Sequence, residues 1–362
     1  MCASTLHASA DDAGASSLVE SLDSIVTRLD AVEVTANRAG VKTPVAFTNV
    51  NAKDIAKGND GRDIPSLLEM TPSIISTGDA GAGIGYSSLR VRGTDGSRIN
   101  ITANGVPIND SESHNVYWVN MPDIASSLND IQIQRGAGTS TNGAGAFGAS
   151  INMLTDYPAS ERSAMVSASY GSFNSNRETI KVSSGLFGDH WSVDARFSHI
   201  GSDGYIDRAF SQLWSYMGQL AYRADNTTLR LLAFGGKERT YMAWDYASKE
   251  QMEEYGRRYN PCGEYTASDG SVAYYPDQCD NFTQHHFQML LNQYIGQYVT
   301  LNATLHYTKG DGYYDQYKTK RTLEEYGLEP FLDSEGNLVK KSDLIRMKFN
   351  ENDFGGGMVN VR

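Results

Sequence analysis

From Ser163 onward, apolar and polar residues alternate with a period of two, the spacing that sends successive side chains to opposite faces of a strand. Trp191, Val193, Ala195 and Phe197 share one face, and Ser192, Asp194, Arg196 and Ser198 the other. Val299 to Tyr307 repeats the pattern; Ala164 to Tyr170, Ile180 to Leu186 and Trp214 to Arg223 follow it with more noise. Thr228 to Gly236 and Phe287 to Ile295 are strands by composition, with ambiguous faces. That makes seven strands of roughly the length that crosses a bilayer. A soluble antiparallel sandwich alternates in the same way, but two features favour the membrane. Tyr170, Trp191, Trp214, Tyr222 and Tyr307 sit at strand ends, where an interfacial girdle places aromatics. Connections also sort by length: 187–190, 224–227 and 296–298 are tight turns, whereas 200–213, 237–286 and 308–348 grow progressively longer. Short turns at one rim and long loops at the other predict an antiparallel transmembrane β-barrel.

Residues 42–155 lack this rhythm and read as an α/β domain. A strand is predicted at Val45 to Val50 and a short helix around Ala52 to Lys57. Asp63 is placed as the N-cap of a second helix, with Pro65 in its first turn and an end before Pro72. Strands follow at Ser88 to Arg92, Ile99 to Ala103, Ile131 to Gln134 and Ser150 to Leu154, and Asn104-Gly105 signals a hairpin.

Composition narrows the function classes. Of the 37 aromatic residues, only six lie in residues 1–160, so a domain boundary is expected near the linker 156–162. The formal net charge of −12 and the absence of a long basic run argue against a nucleic-acid partner. No apolar stretch approaches the roughly 18 residues of a spanning helix. Gly136-Ala-Gly138 starts like a dinucleotide loop, but position 141 is Thr and no Gly-Lys-Ser/Thr follows. The histidines form no zinc pattern, and Asp110 and Glu112 read as loop acids. No enzyme, no metal site and no cofactor is expected. Cys262 and Cys279, 17 positions apart in a Tyr-rich stretch, suit a disulfide in an oxidising compartment better than a metal site. Residues 1–10 end in Ala8-Ser9-Ala10, which fits either the remnant of a signal peptide or an arbitrary polar start. The C-terminal Met358 to Arg362 looks like a strand cut off midway.

Four segments carry a resemblance. Leu89-Arg-Val-Arg-Gly-Thr94, Asn104 to Asp110, Ile131 to Gly138 and Asn142 to Met153, in this order, resemble the plug domain of TonB-dependent outer-membrane receptors. Glu112 to Pro122 is similar to the Bacteroidota branch of that family. Within the N-terminal segment 11–41, Asp30-Ala31-Val32-Glu33-Val34-Thr35-Ala36 looks like the TonB box, the alternative being a flexible leader. The resemblance implies a plug over 42–155 inside a 22-stranded barrel, of which 162–362 would be the N-terminal part; seven or eight strands cannot enclose such a domain. It further implies a monomer in the outer membrane of a Gram-negative bacterium, in contact with outer-membrane lipid. The TonB box would lie in the periplasm and the long loops outside the cell. Its partners would be the TonB C-terminal domain and a scarce metal chelate such as a ferric siderophore, haem or cobalamin. Arg90, Arg92 and Arg135 would meet barrel carboxylates or else face lumenal water. Ligand contacts are expected at Tyr86, His114, Tyr117, Trp118, Tyr241, Trp244 and Tyr246, with core or loop packing as the alternative for Trp118 and the tyrosines. The competing function class is a secreted or surface β-rich adhesion module.

Overall fold

A computed structural model of the chain describes residues 2–9, 38–40, 43–137, 146–296 and 298–362. Cys2–Ser9, read above as part of a leader remnant, is an extended strand here, β1. The α/β domain then follows the expected order closely. Strand β2 (Ala46–Asn51) leads into helix α1 (Ala52–Gly58), which Asn51 caps by accepting from the Asp54 amide at 3.1 Å. Helix α2 is a single turn, Ile64–Leu67. Asp63 stands at its N-cap, but its side chain does not cap; the buried carboxylate accepts instead from Ser87 Oγ at 2.8 Å.

Strands β3 (Ile74–Gly78) and β4 (Ser87–Val91) pair as a separate hairpin. Next come β5 (Ile99–Ala103), β6 (Val106–Pro107), β7 (Leu128–Arg135) and β8 (Ala149–Thr155). The five-stranded sheet has the order β2-β7-β8-β5-β6, with β5 and β8 parallel. The predicted hairpin turn joins β5 to β6, and both Asn104 and Gly105 take the positive φ that this tight turn demands. Ile99, Ile101, Ile131, Ile133, Ile151 and Met153 form the centre of its core.

Eight long strands follow: β9 (Arg162–Gly171), β10 (Ser175–Ser184), β11 (Trp191–Ser202), β12 (Ser211–Ala224), β13 (Thr227–Tyr241), β16 (Cys279–Ile295), β17 (Val299–Thr322) and β20 (Lys341–Val361). Between them lie the small hairpins β14 (Glu264–Thr266) with β15 (Val272–Tyr274) and β18 (Phe331–Leu332) with β19 (Leu338–Val339). Helix α3 (Lys249–Tyr255) opens on a capping box of Ser248 and Gln251. The long strands form one antiparallel meander with β1 added beside β9. This is one strand more than the seven expected. The terminal segment read as a truncated strand is the end of β20, which pairs with β17 from Lys341 to Val361.

Turns 185–190 and 225–226 and the short connection from β16 to β17 lie at one rim, and 203–210, 242–278 and 323–340 at the other, as the loop sorting predicts. The loop 172–174 is an exception, being short at the long-loop rim. The long loops are shorter than expected because the strands run on into them. At 24 residues, β17 reaches about 80 Å, well beyond the apolar band of about 25 Å that a bilayer requires.

The two faces of this sheet are inverted relative to a soluble protein. Trp191, Val193 and Phe197 are exposed while Ser192, Arg196 and Ser198 are buried. A sandwich would bury the apolar set. The ambiguous strands also resolve: Leu231 and Phe287 point outward with this exposed set, whereas Leu232, Phe234 and Leu290 point inward and pack on the α/β core. Trp191 stacks obliquely on Tyr222 at one level (5.0 Å) and Phe197 on Trp214 at another (5.6 Å), with about 27 Å of β12 between Tyr222 and Trp214. Tyr307 departs from the girdle, lying part-way along β17 beside Phe287.

Leu231 faces outward within this band, two residues from the Tyr222 level, next to Leu220 and Met289. Leu231→Arg is expected to cost roughly 1–3 kcal/mol of folding stability in lipid vesicles, between the midplane and interface values. Denaturant titration checks this; an unchanged midpoint would contradict a lipid-facing position.

Candidate functional site

The α/β domain is held to the inner face of the wall by buried polar contacts. Asp123, in a left-handed backbone conformation at the start of the 124–127 turn, is completely buried. Its two oxygens meet Arg177 of β10 at 3.3 Å and Arg196 of β11 at 3.5 Å. Thr179 and Ser198, from the same two strands, each donate a 2.6 Å hydrogen bond to Oδ2, and Ser126 donates one to Oδ1. Lys181 reaches Asp156 at 2.5 Å, Arg196 Nε donates to Ser127 Oγ at 2.8 Å, and Arg230 donates to Thr155 Oγ1 at 2.8 Å. Gly236 permits a close approach: a Cβ there would meet Pro122 Cδ at 2.6 Å and the Asn120 carbonyl at 2.7 Å.

Towards the long-loop rim the two parts separate around a cavity of about 420 Å³. Tyr86 and the 108–121 segment line one side; Glu238, Asp280, Phe282, Gln284 and residues of β17 and β20 line the other. The Tyr86 hydroxyl donates to Asp280 Oδ2 at 2.5 Å and lies 3.4 Å from Glu238 Oε1. Burial, and then the neighbouring carboxylates, push its phenol well above the usual range, so it remains a donor. Trp244 packs edge-on against Tyr86 at 6.0 Å and Tyr314 at 5.7 Å.

Residues 39–150, the α/β domain with its buried Asp123, match the TonB-dependent receptor plug domain family. Residues 39–150 are thus a plug domain of the TonB-dependent receptor kind, and the long antiparallel sheet that follows is consistent with part of a receptor barrel. The family is non-enzymatic and belongs to the Gram-negative outer membrane. Solved structures agree on the fold. The closed form of Fiu, the ferric-catecholate import receptor of E. coli K12, superposes with a TM-score of 0.61 at 16% identity, covering 90% of this chain and 44% of that one. PiuA, a siderophore receptor of Acinetobacter baumannii, gives 0.58 at 13% identity over 88% of this chain and 55% of that one. BauA, the ferric preacinetobactin receptor of the same species, gives 0.60 at 14%, with 78% and 40% covered. The chain thus spans about half the length of the solved receptors it matches. No curated protein sequence matches it.

The plug brings three of the expected ligand residues together at the cavity: Tyr86, Tyr117 and Trp244. The other four are elsewhere. Trp118 is buried in the plug core, and His114 is exposed on the 110–115 turn. Tyr241 is buried, its hydroxyl donating to the carbonyls of Cys262 and Tyr275, and Tyr246 donates to Asp79 at 2.8 Å. Cys262 and Cys279 share that buried cluster with Tyr241 and Met242, but both are free thiols and the expected disulfide is not formed. Burial pushes the Cys262 thiol up to about 12. Asp110 is the loop acid expected, accepting from the Glu112 and Ser113 amides.

Arg135 turns inward on the plug, donating to the Pro72 carbonyl at 3.0 Å and Thr48 Oγ1 at 2.7 Å, instead of reaching the wall. Arg90 and Arg92 are exposed, and no ion pair joins them to a carboxylate among the described residues. The docking ion pairs seen here have the opposite polarity, with Asp123 against Arg177 and Arg196 of the wall and Asp156 against Lys181. Sequence reading missed Asp123, Glu238 and Asp280. Period-two alternation carried two residues beyond Gly236 places Glu238 on the inner face; Asp123 has no comparable local signal.

Two carboxylates of the plug predict opposite pH behaviour. For Asp123, burial is the largest influence and raises the pKa, but Arg196 and Arg177, with Ser126 and Ser198, outweigh it and hold the carboxyl below its ordinary range. Its contribution is therefore full above the ordinary range and lost only as pH falls through the lowered value. Asp123→Asn leaves two buried arginines without a counter-charge and is expected to cost about 3–5 kcal/mol, read by denaturant titration at pH 7.

Asp63 is raised to about 7 by burial, partly offset by Ser87. Folded protein then holds a proton that the unfolded chain has released, so stability falls as pH rises from about 4 to about 7. Asp63→Asn removes this penalty: a higher melting temperature than the parent at pH 8 and near-equality at pH 4 are expected. Parallel melts at the two pH values decide it.

Proposed function

We propose that the chain is part of an outer-membrane receptor that takes up a scarce, large ligand, with energy delivered through TonB. The observation that carries this reading is a folded plug docked on an inside-out wall by breakable ionic contacts, beside an aromatic cavity at the long-loop rim. Likeness to receptors named for ferric catecholates and ferric preacinetobactin supports a metal chelate as the ligand. The outer membrane has no ATP, so displacing such a plug needs force from elsewhere. A secreted adhesion module would bury its apolar strand face, and this wall exposes it.

The box at 30–36 lies outside the described residues. The chain just downstream is anchored: the Ala39 amide donates to Gln132 Oε1 at 2.7 Å, the Ala39 carbonyl accepts from Gln132 Nε2 at 3.0 Å, and Arg38 pairs with Asp130. A pull on Val32-Glu33-Val34, recruited by the TonB C-terminal domain as an added strand, would reach β7 within the plug sheet. The receptor acts as a monomer surrounded by outer-membrane lipid, with the box in the periplasm and loops 203–210, 242–278 and 323–340 outside the cell.

Val32→Pro removes an amide that strand addition needs. In the full receptor, TonB-dependent uptake should be abolished while ligand binding at the cell surface is unchanged; normal uptake by the variant would refute the assignment.

A further inference from the structure

The cavity beneath Trp244 is one-sided in charge. Among the described residues its lining includes three carboxylates, Asp110, Glu238 and Asp280, and neither lysine nor arginine. Glu238 and Asp280 are diagonal neighbours on adjacent strands, since Thr240 pairs with Asp280 and Glu238 with Phe282. Tyr86 supplies a hydrogen bond to Asp280 Oδ2 and approaches Glu238 Oε1. Glu238 is only 1% exposed, and although Thr240 lies beside it, Glu238 Oε2 and Thr240 Oγ1 are both left without a hydrogen bond of good geometry.

A buried carboxylate oxygen with only a poorly placed donor is costly until a better one arrives, and two adjacent carboxylates attract a cation. No three His, Cys, Asp or Glu side chains among the described residues converge as metal ligands would. Aromatic rings complete the setting, because Trp244, Tyr314 and Phe282 offer the faces and edges that attract an ammonium group and cover its alkyl stem. Tyr314 already shows this affinity: the Lys348 ammonium lies 5.7 Å from its ring centroid. Lys348 and Arg346 precede the lining residues Asn350 and Asn352 on β20 and stand on the side of the 323–340 loop.

We infer that the cavity is a subsite for a protonated primary amine of the ligand, donating N–H bonds to Glu238 Oε2 and Asp280 with its stem against Trp244 and Tyr314. The inference rests on the receptor reading above and names the ligand chemistry of that same site.

Putrescine, and the uncharged diol of equal length, test it when titrated into the full chain in detergent micelles, with calorimetry and tryptophan emission as readouts. Saturable putrescine binding and a negligible response to the diol are expected. Glu238→Gln keeps the shape and removes the charge, and should weaken putrescine about tenfold or more. Asp110→Asn, on a turn where folding is less at stake, should weaken it to a smaller degree. An equal response to both probes, no saturable binding by folded parent chain, or unchanged affinity in both variants would overturn the subsite. Putrescine binding in a receptor that shows no TonB-dependent uptake would support the subsite while counting against transport alone.

Discussion

The arrangement of this protein depends on one buried carboxylate. Asp123 brings a full negative charge from the plug to the inner face of the wall, where Arg177 and Arg196 on neighbouring strands would otherwise be buried without a counter-charge. Burying such a triad costs solvation on all three members, and the attraction offsets that cost only while the geometry holds. Hydrogen bonds from Thr179, Ser198 and Ser126 supply that geometry. A contact of this kind is rigid when made and unfavourable when half-broken. That suits the function proposed above, in which the plug stays seated until it is pulled.

The rest of the interface follows the same logic on a smaller scale. Lys181 with Asp156, Arg196 with Ser127 and Arg230 with Thr155 are polar pairs, and the apolar contribution comes from Met217, Leu232, Phe234 and Leu290. An inner face serving both a polar interface and an apolar core cannot keep a clean two-residue rhythm. This explains why the β13 and β16 segments have readable strand composition but unreadable faces. Leu231 and Leu232 are chemically alike; one is exposed on the outer face and the other meets the plug.

Legibility of the site divides in the same way. Tyr86, Tyr117 and Trp244 were accessible to sequence reasoning because aromatics near loops are visible in one dimension. Glu238 and Asp280 were not, since their importance lies in being diagonal neighbours across a strand pair. Trp118 illustrates the converse: a tryptophan in a matched segment invites a binding role, yet it fills the plug core. Arginines within the matched motifs drew attention to the plug as the source of positive charge, whereas the docking cations lie on the wall.

What the sequence determined by itself is whatever depends on local rules. Period-two alternation placed the strands, turn chemistry placed Asn104-Gly105 and the tight connections, and loop sorting separated the rims; each is set by residues a few positions apart. Tertiary structure alone decided the length of β17 and β20, the side on which Leu232 and Phe234 lie, the free state of Cys262 and Cys279, and the pairing of Asp123 with Arg177 and Arg196. The reason is physical: burial and charge pairing are energies between residues more than 50 positions apart, set by which surfaces the docked plug covers.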